Sequence, residues 1–267
     1  EIKELDKYFS DYYAHIDAFL ENKTVNGFLV IGKGGFGKTF NLIKHLQKRG
    51  INFVLLKGHI TPLKLYKILY EFRENSFIII DDIIAILKNQ DAISFLLGAL
   101  DYNSRMVCWN SQNPLTADLP RQFIFNSKIF ILTNEFNETN EFLAALKDRC
   151  VAYELKFDKE EIIEMLYIIA KQKGYPTEIV DYIKELCESS MIKHLSLRLV
   201  DKLYPYYGKD NWKELVRQVI EVDELESFVY NLIKSGKSVK EQISEFAERT
   251  GLSRATYFRI KSKILKG

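Results

Sequence analysis

The chain is short of the residues that staple a fold, bind metals or anchor a membrane. It has only three cysteines, Cys108, Cys150 and Cys187. They lie far apart and show no CxxC or Cys/His spacing, which argues against a disulfide scaffold and for reduced, buried thiols. The four histidines (His15, His45, His59 and His194) form no HExxH or similar cluster, so no histidine metal site is expected. No apolar stretch approaches the ~18–20 residues that a membrane span requires. The start also lacks the basic-then-apolar pattern of a secretory leader, and the expected compartment is the cytoplasm. There is no internal repeat and no low-complexity segment. The chain begins at Glu1 rather than Met, as a piece of a longer protein would.

What remains suits ordinary globular domains. In 267 residues, 47% are apolar and 28% charged, enough for one sizeable α/β domain and one or two small helical ones. The net charge of +2 is unevenly spread. From Glu224 to Gly267 there are nine Lys/Arg against five Asp/Glu, and the last sixteen residues hold five basic residues and no acid. A basic end of this kind favours a phosphate backbone.

Apolar positions at helical spacing (Leu5, Tyr8, Phe9, Tyr12, Ile16, Phe19, Leu20) predict one amphipathic helix over residues 1–21. Gly27–Ile31 reads as a buried strand, 38–49 as a helix, 51–56 as a second strand and 61–74 as a helix with Pro62 in its first turn. The run Phe77-Ile78-Ile79-Ile80 is a strand ending in Asp81-Asp82, and 91–100 is another helix. Strands apolar on both faces, alternating with helices, predict an α/β core with a covered parallel sheet. Residues 106–130 break the rhythm and read as a hairpin or long loop around Pro114 and Pro120, before a strand at 128–132. Beyond Phe157 the pattern is helical, at 159–172, 177–188, 195–203, 212–222, 225–234, 239–249 and 253–265. The expected domains are 1–157, 158–222 and 223–267.

The stretch GKGGFGKT, residues 32–39, satisfies the P-loop pattern GxxxxGK(S/T) between a strand and a helix. Its glycines allow consecutive backbone N–H groups to turn inward as an anion nest, and the following helix adds its positive N-terminal end. Gly32, Lys33, Gly34, Gly35, Phe36, Gly37, Lys38, Thr39 and Phe40 are therefore expected to cradle ATP. Lys38 would reach the β/γ-phosphates and Thr39 would hold Mg²⁺. Asp81, at the end of a buried strand, would share the metal, and Asp82 could orient or deprotonate the attacking water.

With these motifs in place, residues 20–220 resemble the AAA+ ATPases. The resemblance implies that Ile129–Asn134 is the sensor 1 strand, with Asn134 facing the γ-phosphate. It also implies that Leu146-Lys147-Asp148-Arg149-Cys150 carries an arginine finger, Arg149, acting on a neighbouring subunit's nucleotide, where similar fingers are worth ~10³–10⁵ in rate. His194–Leu199 resembles sensor 2 on the helical lid, with Arg198 touching nucleotide in cis. Asp81-Asp82 departs from the commoner Asp-Glu pair, which leaves the speed of hydrolysis open. Many AAA+ helicases carry a pore hairpin where 106–127 lies, so Arg121 could touch DNA there, or the segment could pack on its own domain. Trp109 reads as a packing residue.

The tail looks like the helix-turn-helix domains of recombinases and small regulators. Ile243, Phe246 and Ala247 line one helix face, Gly251 permits a tight turn, and Ser253 caps the last helix. The last helix is expected to enter the major groove, with Arg254, Ala255, Thr256 and Tyr257 near bases, and Arg259, Lys261 and Lys263 near phosphates.

These readings together imply a Mg²⁺-dependent, oligomeric, DNA-acting ATPase. The expected roles are replication initiation, helicase action or helicase loading for a phage, plasmid or similar element, with a replicative helicase as a conceivable partner. A transposition-target ATPase and an ATP-switched transcription regulator with little turnover are the alternatives. The GAFTGA loop of one group of transcriptional activators is absent, and a small-molecule kinase fits the sensor-like motifs poorly.

Overall fold

A computed structural model describes residues 2–83, 86, 89–109, 118–134, 141–189 and 192–266. The chain divides into two compact units, Asp6–Lys156 and Phe157–Gly267 together with Glu1–Leu5.

The predicted single helix over 1–21 is instead two helices, α1 (Ile2–Asp6) and α2 (Ser10–Glu21), separated by a 3-10 turn at Lys7–Phe9. The alternating unit that follows runs β1 (Gly27–Ile31), α3 (Lys38–Lys48), β2 (Val54–Lys57), α4 (Pro62–Glu71), β3 (Phe77–Asp81) and α5 (Gln90–Ala99). Next come β4 (Met106–Cys108), β5 (Gln122–Ile124), β6 (Lys128–Thr133), α6 (Glu141–Asp148) and β7 (Val151–Glu154). Five strands form one sheet in the order β2-β3-β6-β1-β7, with every pair parallel. Their carboxyl ends, and with them the loops that follow, therefore share one edge of the sheet.

Strand alternation explains how both sheet faces are filled. Leu29, Ile78, Ile80, Ile129 and Ile131 join a core with Leu65, Tyr66, Phe95 and Leu96 from α4 and α5. On the opposite face, Phe28 and Phe130 meet Phe19 of α2 at ring-centroid distances of 5.2 and 5.1 Å. Lys128 fixes α2 in place. Its Nζ donates to the carbonyls of Phe19, Leu20 and Asn22 at 2.5–2.7 Å, satisfying acceptors that a helix end leaves open.

The 106–127 segment is an antiparallel pair, β4 with β5. Val107, Trp109, Phe123 and Phe125 are buried in the α4–α5 core, and Tyr66 donates its hydroxyl to Pro120 O at 2.7 Å. Trp109 is thus a packing residue, stacked on Phe95 at 5.5 Å. The expected tip, including Pro114, lies outside the described residues.

The second unit is helical: α7 (Lys159–Lys173), α8 (Glu178–Ser189), α9 (Leu199–Leu203), α10 (Trp212–Val219), α11 (Glu224–Lys234), α12 (Val239–Thr250) and α13 (Arg254–Lys266). Capping boxes start α7 (Asp158 with Glu161) and α12 (Ser238 with Glu241). The predicted helix 195–203 is only the five residues of α9, and Arg198 is its N-cap rather than a residue within it. The last three helices enclose Val229, Leu232, Phe246, Tyr257 and Ile260, with α12 and α13 separated by the three residues Gly251–Ser253.

Candidate nucleotide site

β1 delivers the chain into the glycine loop, and α3 carries it away. Gly35 and Gly37 adopt φ +83° and +82°, a region that costs other L-residues energy. At Gly32 a Cβ would lie 2.7 Å from Leu155 O, so only glycine lets the loop pass β7. Lys38 is 6% exposed, and its Nζ donates to Gly32 O at 2.5 Å, Lys33 O at 3.1 Å and Asn134 Oδ1 at 2.9 Å. Thr39 Oγ1 donates to Asp81 Oδ1 at 2.9 Å. Lys38 and Thr39 at the start of α3, Asp81 from β3 and Asn134 after β6 are thereby brought together, as the parallel order requires.

Backbone bonds hold the edge in register. Gly32 N donates to Thr133 O and Asp82 N to Leu132 O, each at 3.2 Å, so both neighbours of β6 hang from its last carbonyls. Asp82 itself has φ +71°. Asp and Asn are the non-glycine residues that adopt this conformation most readily. Phe36 is buried, whereas the Phe40 side chain is 70% exposed.

The residues present fit a magnesium nucleotide. The loop offers an anion nest with a buried ammonium group, and Thr39 and Asp81 supply the hard oxygen donors that Mg²⁺ prefers.

Four further residues at this site were not identified from sequence. Lys57, the last residue of β2, is the register partner of Asp81, and its Nζ lies 3.5 Å from Asp81 Oδ2. Pairing β2 with β3 would have found it. Tyr12, Tyr13 and Asn41 brace α3: Asn41 Nδ2 donates to Gly37 O at 2.9 Å, Tyr13 OH to Asn41 Oδ1 at 2.9 Å, and Tyr12 OH to Lys38 O at 3.4 Å. Burial, followed by the nearby Tyr153, Tyr13 and Asp81, pushes the Tyr12 phenol well above its ordinary range, so it stays a neutral donor. Nothing in an amphipathic helix pattern marks these tyrosines as neighbours of the loop.

Arg149 follows α6, half-buried, with Nη1 donating to Ala145 O at 3.0 Å. Arg198, in the other unit, is exposed.

The tail corrects the sequence reading most. Tyr257, expected near bases, is fully buried against Phe246, and its hydroxyl donates to Gln242 Oε1. An aromatic ring at this position is needed to fill the three-helix core, so it cannot reach a groove. Thr256 is half-buried; its N–H donates to Ser253 Oγ at 3.3 Å and its hydroxyl lies 3.1 Å from the same atom. Lys261 donates to Gln242 Oε1 at 3.4 Å, and Lys263 pairs with Glu226. Arg254 and Arg259 are exposed.

The covered parallel sheet, the phosphate-type loop after β1 and the helical C-terminal region define the fold of the AAA+ P-loop ATPases. Among solved structures, a point mutant of Thermotoga maritima RuvB aligns with TM-score 0.54 at 14% identity, over 95% of this chain and 83% of that one. The T. maritima RuvB Holliday junction branch migration motor gives 0.52 at 14% identity with the same coverage. Orc1 of Aeropyrum pernix, solved in complex with DNA, gives 0.51 at 14% identity over 98% of this chain and 82% of that one. At such identities the likeness is one of fold. A curated relative, an uncharacterized 36.7 kDa protein from the nrdC-mobD intergenic region of Enterobacteria phage T4, is 31% identical over 121 residues. That match spans 42% of this chain and 37% of the relative. No family model matches.

Proposed function

We propose that the chain is an ATP-dependent, DNA-directed AAA+ ATPase, with a nucleotide-binding domain at 1–157, a lid at 158–222 and a helix-turn-helix domain at 223–267. The observation that carries the ATPase part of this reading is the convergence of Lys38, Thr39, Asp81 and Asn134 at one sheet edge, joined by hydrogen bonds of 2.9 Å. Mg²⁺-ATP, when bound, supplies a metal-polarised γ-phosphoryl group open to attack by water. Lys38 would exchange its loop carbonyls for phosphate oxygens, Thr39 and Asp81 would hold the metal, and Asn134 would face the γ-phosphate. Asp82 accepts the proton of the attacking water, Arg149 acts on the neighbouring subunit's nucleotide, and Arg198 acts in cis.

The proposed work is replication initiation, helicase action or helicase loading, on a phage, plasmid or similar element and in the cytoplasm. It would be done by a ring or helical homo-oligomer on DNA, with a replicative helicase as a natural partner. The phage T4 relative supports the mobile-element setting. The left-handed Asp82, with its short carboxylate, favours one second reading: a slow, ATP-switched DNA binder, either a regulator or a transposition-target ATPase.

The test is ATP turnover by wild type and Arg149→Ala over a range of protein concentrations, with and without duplex and single-stranded DNA. A motor or loader shows concentration-dependent, DNA-stimulated turnover that the variant loses. Turnover that is independent of concentration and unaffected by Arg149→Ala sinks the trans-acting assignment.

A further inference from the structure

On α13 the buried positions are Tyr257 and Ile260, with Ile264 half-buried. Among the exposed residues of this helix, Arg254, Ala255, Phe258, Arg259 and Ser262 form one stripe, spaced i, i+1, i+4, i+5 and i+8, with Lys263 and Leu265 exposed nearer its end. This stripe combines two chemistries. Arg254 and Arg259 are cations, and Arg254 lies over the Phe258 ring with its guanidinium carbon 5.4 Å from the centroid. Ala255 and Phe258, one helical turn apart, are apolar, and Phe258 remains 40% exposed, with its ring edge-on to Tyr257 at 5.4 Å. α13 carries no acid, and the acids of the three-helix cluster lie on α11 and α12. An exposed apolar strip between arginines, on a helix that carries no acid, complements a duplex major groove. There thymine presents a methyl group, and guanine presents the O6/N7 pair that arginine binds in bidentate fashion.

Resting on the DNA-binding part of the function proposed above, we propose that this face determines specificity. Ala255 and Phe258 contact thymine methyl groups, and Arg254 and Arg259 contact guanine, so the preferred duplex places thymine beside guanine. Thr256 and Tyr257 serve the helix start and the core instead.

The probe is a duplex selected by the full chain from a random pool in the presence of ATP. It is then resynthesised with uracil at each thymine, which removes only the methyl groups. Wild type is expected to bind the uracil duplex about three- to tenfold more weakly, the scale of one or two lost apolar methyl contacts. Phe258→Ala should discriminate between the thymine and uracil duplexes less than wild type does, since only the Ala255 contact remains, and should still bind unselected duplex at low salt. Equal wild-type affinity for the two duplexes would overturn the assignment. So would a variant that weakens both by the same factor, which would mark the face as a general or protein contact. Absence of binding to any duplex at low salt overturns the DNA-directed reading itself, whereas duplex binding without thymine discrimination overturns only this inference.

Discussion

Asp82 illustrates how a backbone demand and a chemical one can meet in a single residue. At φ +71° the position suits Asp, Asn or Gly, while a longer acid there costs about 1 kcal/mol or more. The short Asp-Asp pair, which in sequence terms left the hydrolysis rate open, therefore has a conformational reason. Asp82→Asn should keep wild-type stability and ATP affinity but lose at least about 100-fold in turnover, since the proposed general base is removed. Asp82→Glu should lower Tm by about 2–4 °C in a thermal melt. Lys57 gives a second expectation. Its ammonium offsets part of the Asp81 charge where Thr39 and Asp81 would hold Mg²⁺, and like charges repel at this range. The pair is exposed enough to be worth less than about 1 kcal/mol. Lys57→Met should therefore lower the Mg²⁺ needed for half-maximal binding of a fluorescent ATP analogue by about two- to fivefold. Unchanged Mg²⁺ dependence would place Lys57 outside the metal's reach.

At the scale of elements, His45 of α3 and Arg49, its C-cap, grip Asp17 of α2, with His45 Nε2 2.7 Å from the carboxylate. Partial burial raises the Asp17 pKa, but hydrogen bonds and charge from His45 and Arg49 outweigh it and hold the carboxyl below its ordinary 3.8. A carboxyl depressed in the folded state adds stability that is fully present above its unfolded pKa and lost as pH falls through the folded value. Asp17→Asn should thus lower Tm by about 1–3 °C at pH 7, and the gap should close as pH falls below 3.8, which melts at stepped pH would track. The strands of the sheet centre were legible because all-apolar runs such as Phe77–Ile80 have few alternatives, and the phosphate loop because its glycine spacing is rare. β7 was not, since Val151–Glu154 is a half-exposed edge strand without such a run. The break at Lys7–Phe9 and the shortness of α9 escaped notice because helical periodicity continues through both. Tyr257 was misplaced for a related reason: being near a helix start does not say which side faces the core.

For the molecule as a whole, the three cysteines make a simple reporter of the native state. Burial pushes Cys150 up to about 12 and Cys187 to about 11, so both stay protonated and enclosed, while Cys108 is partly exposed. A chromogenic disulfide reagent should titrate one thiol rapidly in native protein and all three in denaturant. Two rapid thiols would mean that a core has opened. The all-parallel sheet also has a practical side. Since its proposed chemistry gathers where the strands end, the opposite rim, where they begin, offers a place for instrumentation. Thr24, exposed just ahead of β1, lies on that rim. In a chain whose Cys108 has been replaced by serine, Thr24→Cys would accept a dye or a surface tether, and individual molecules could be watched at work from the side that does none of it.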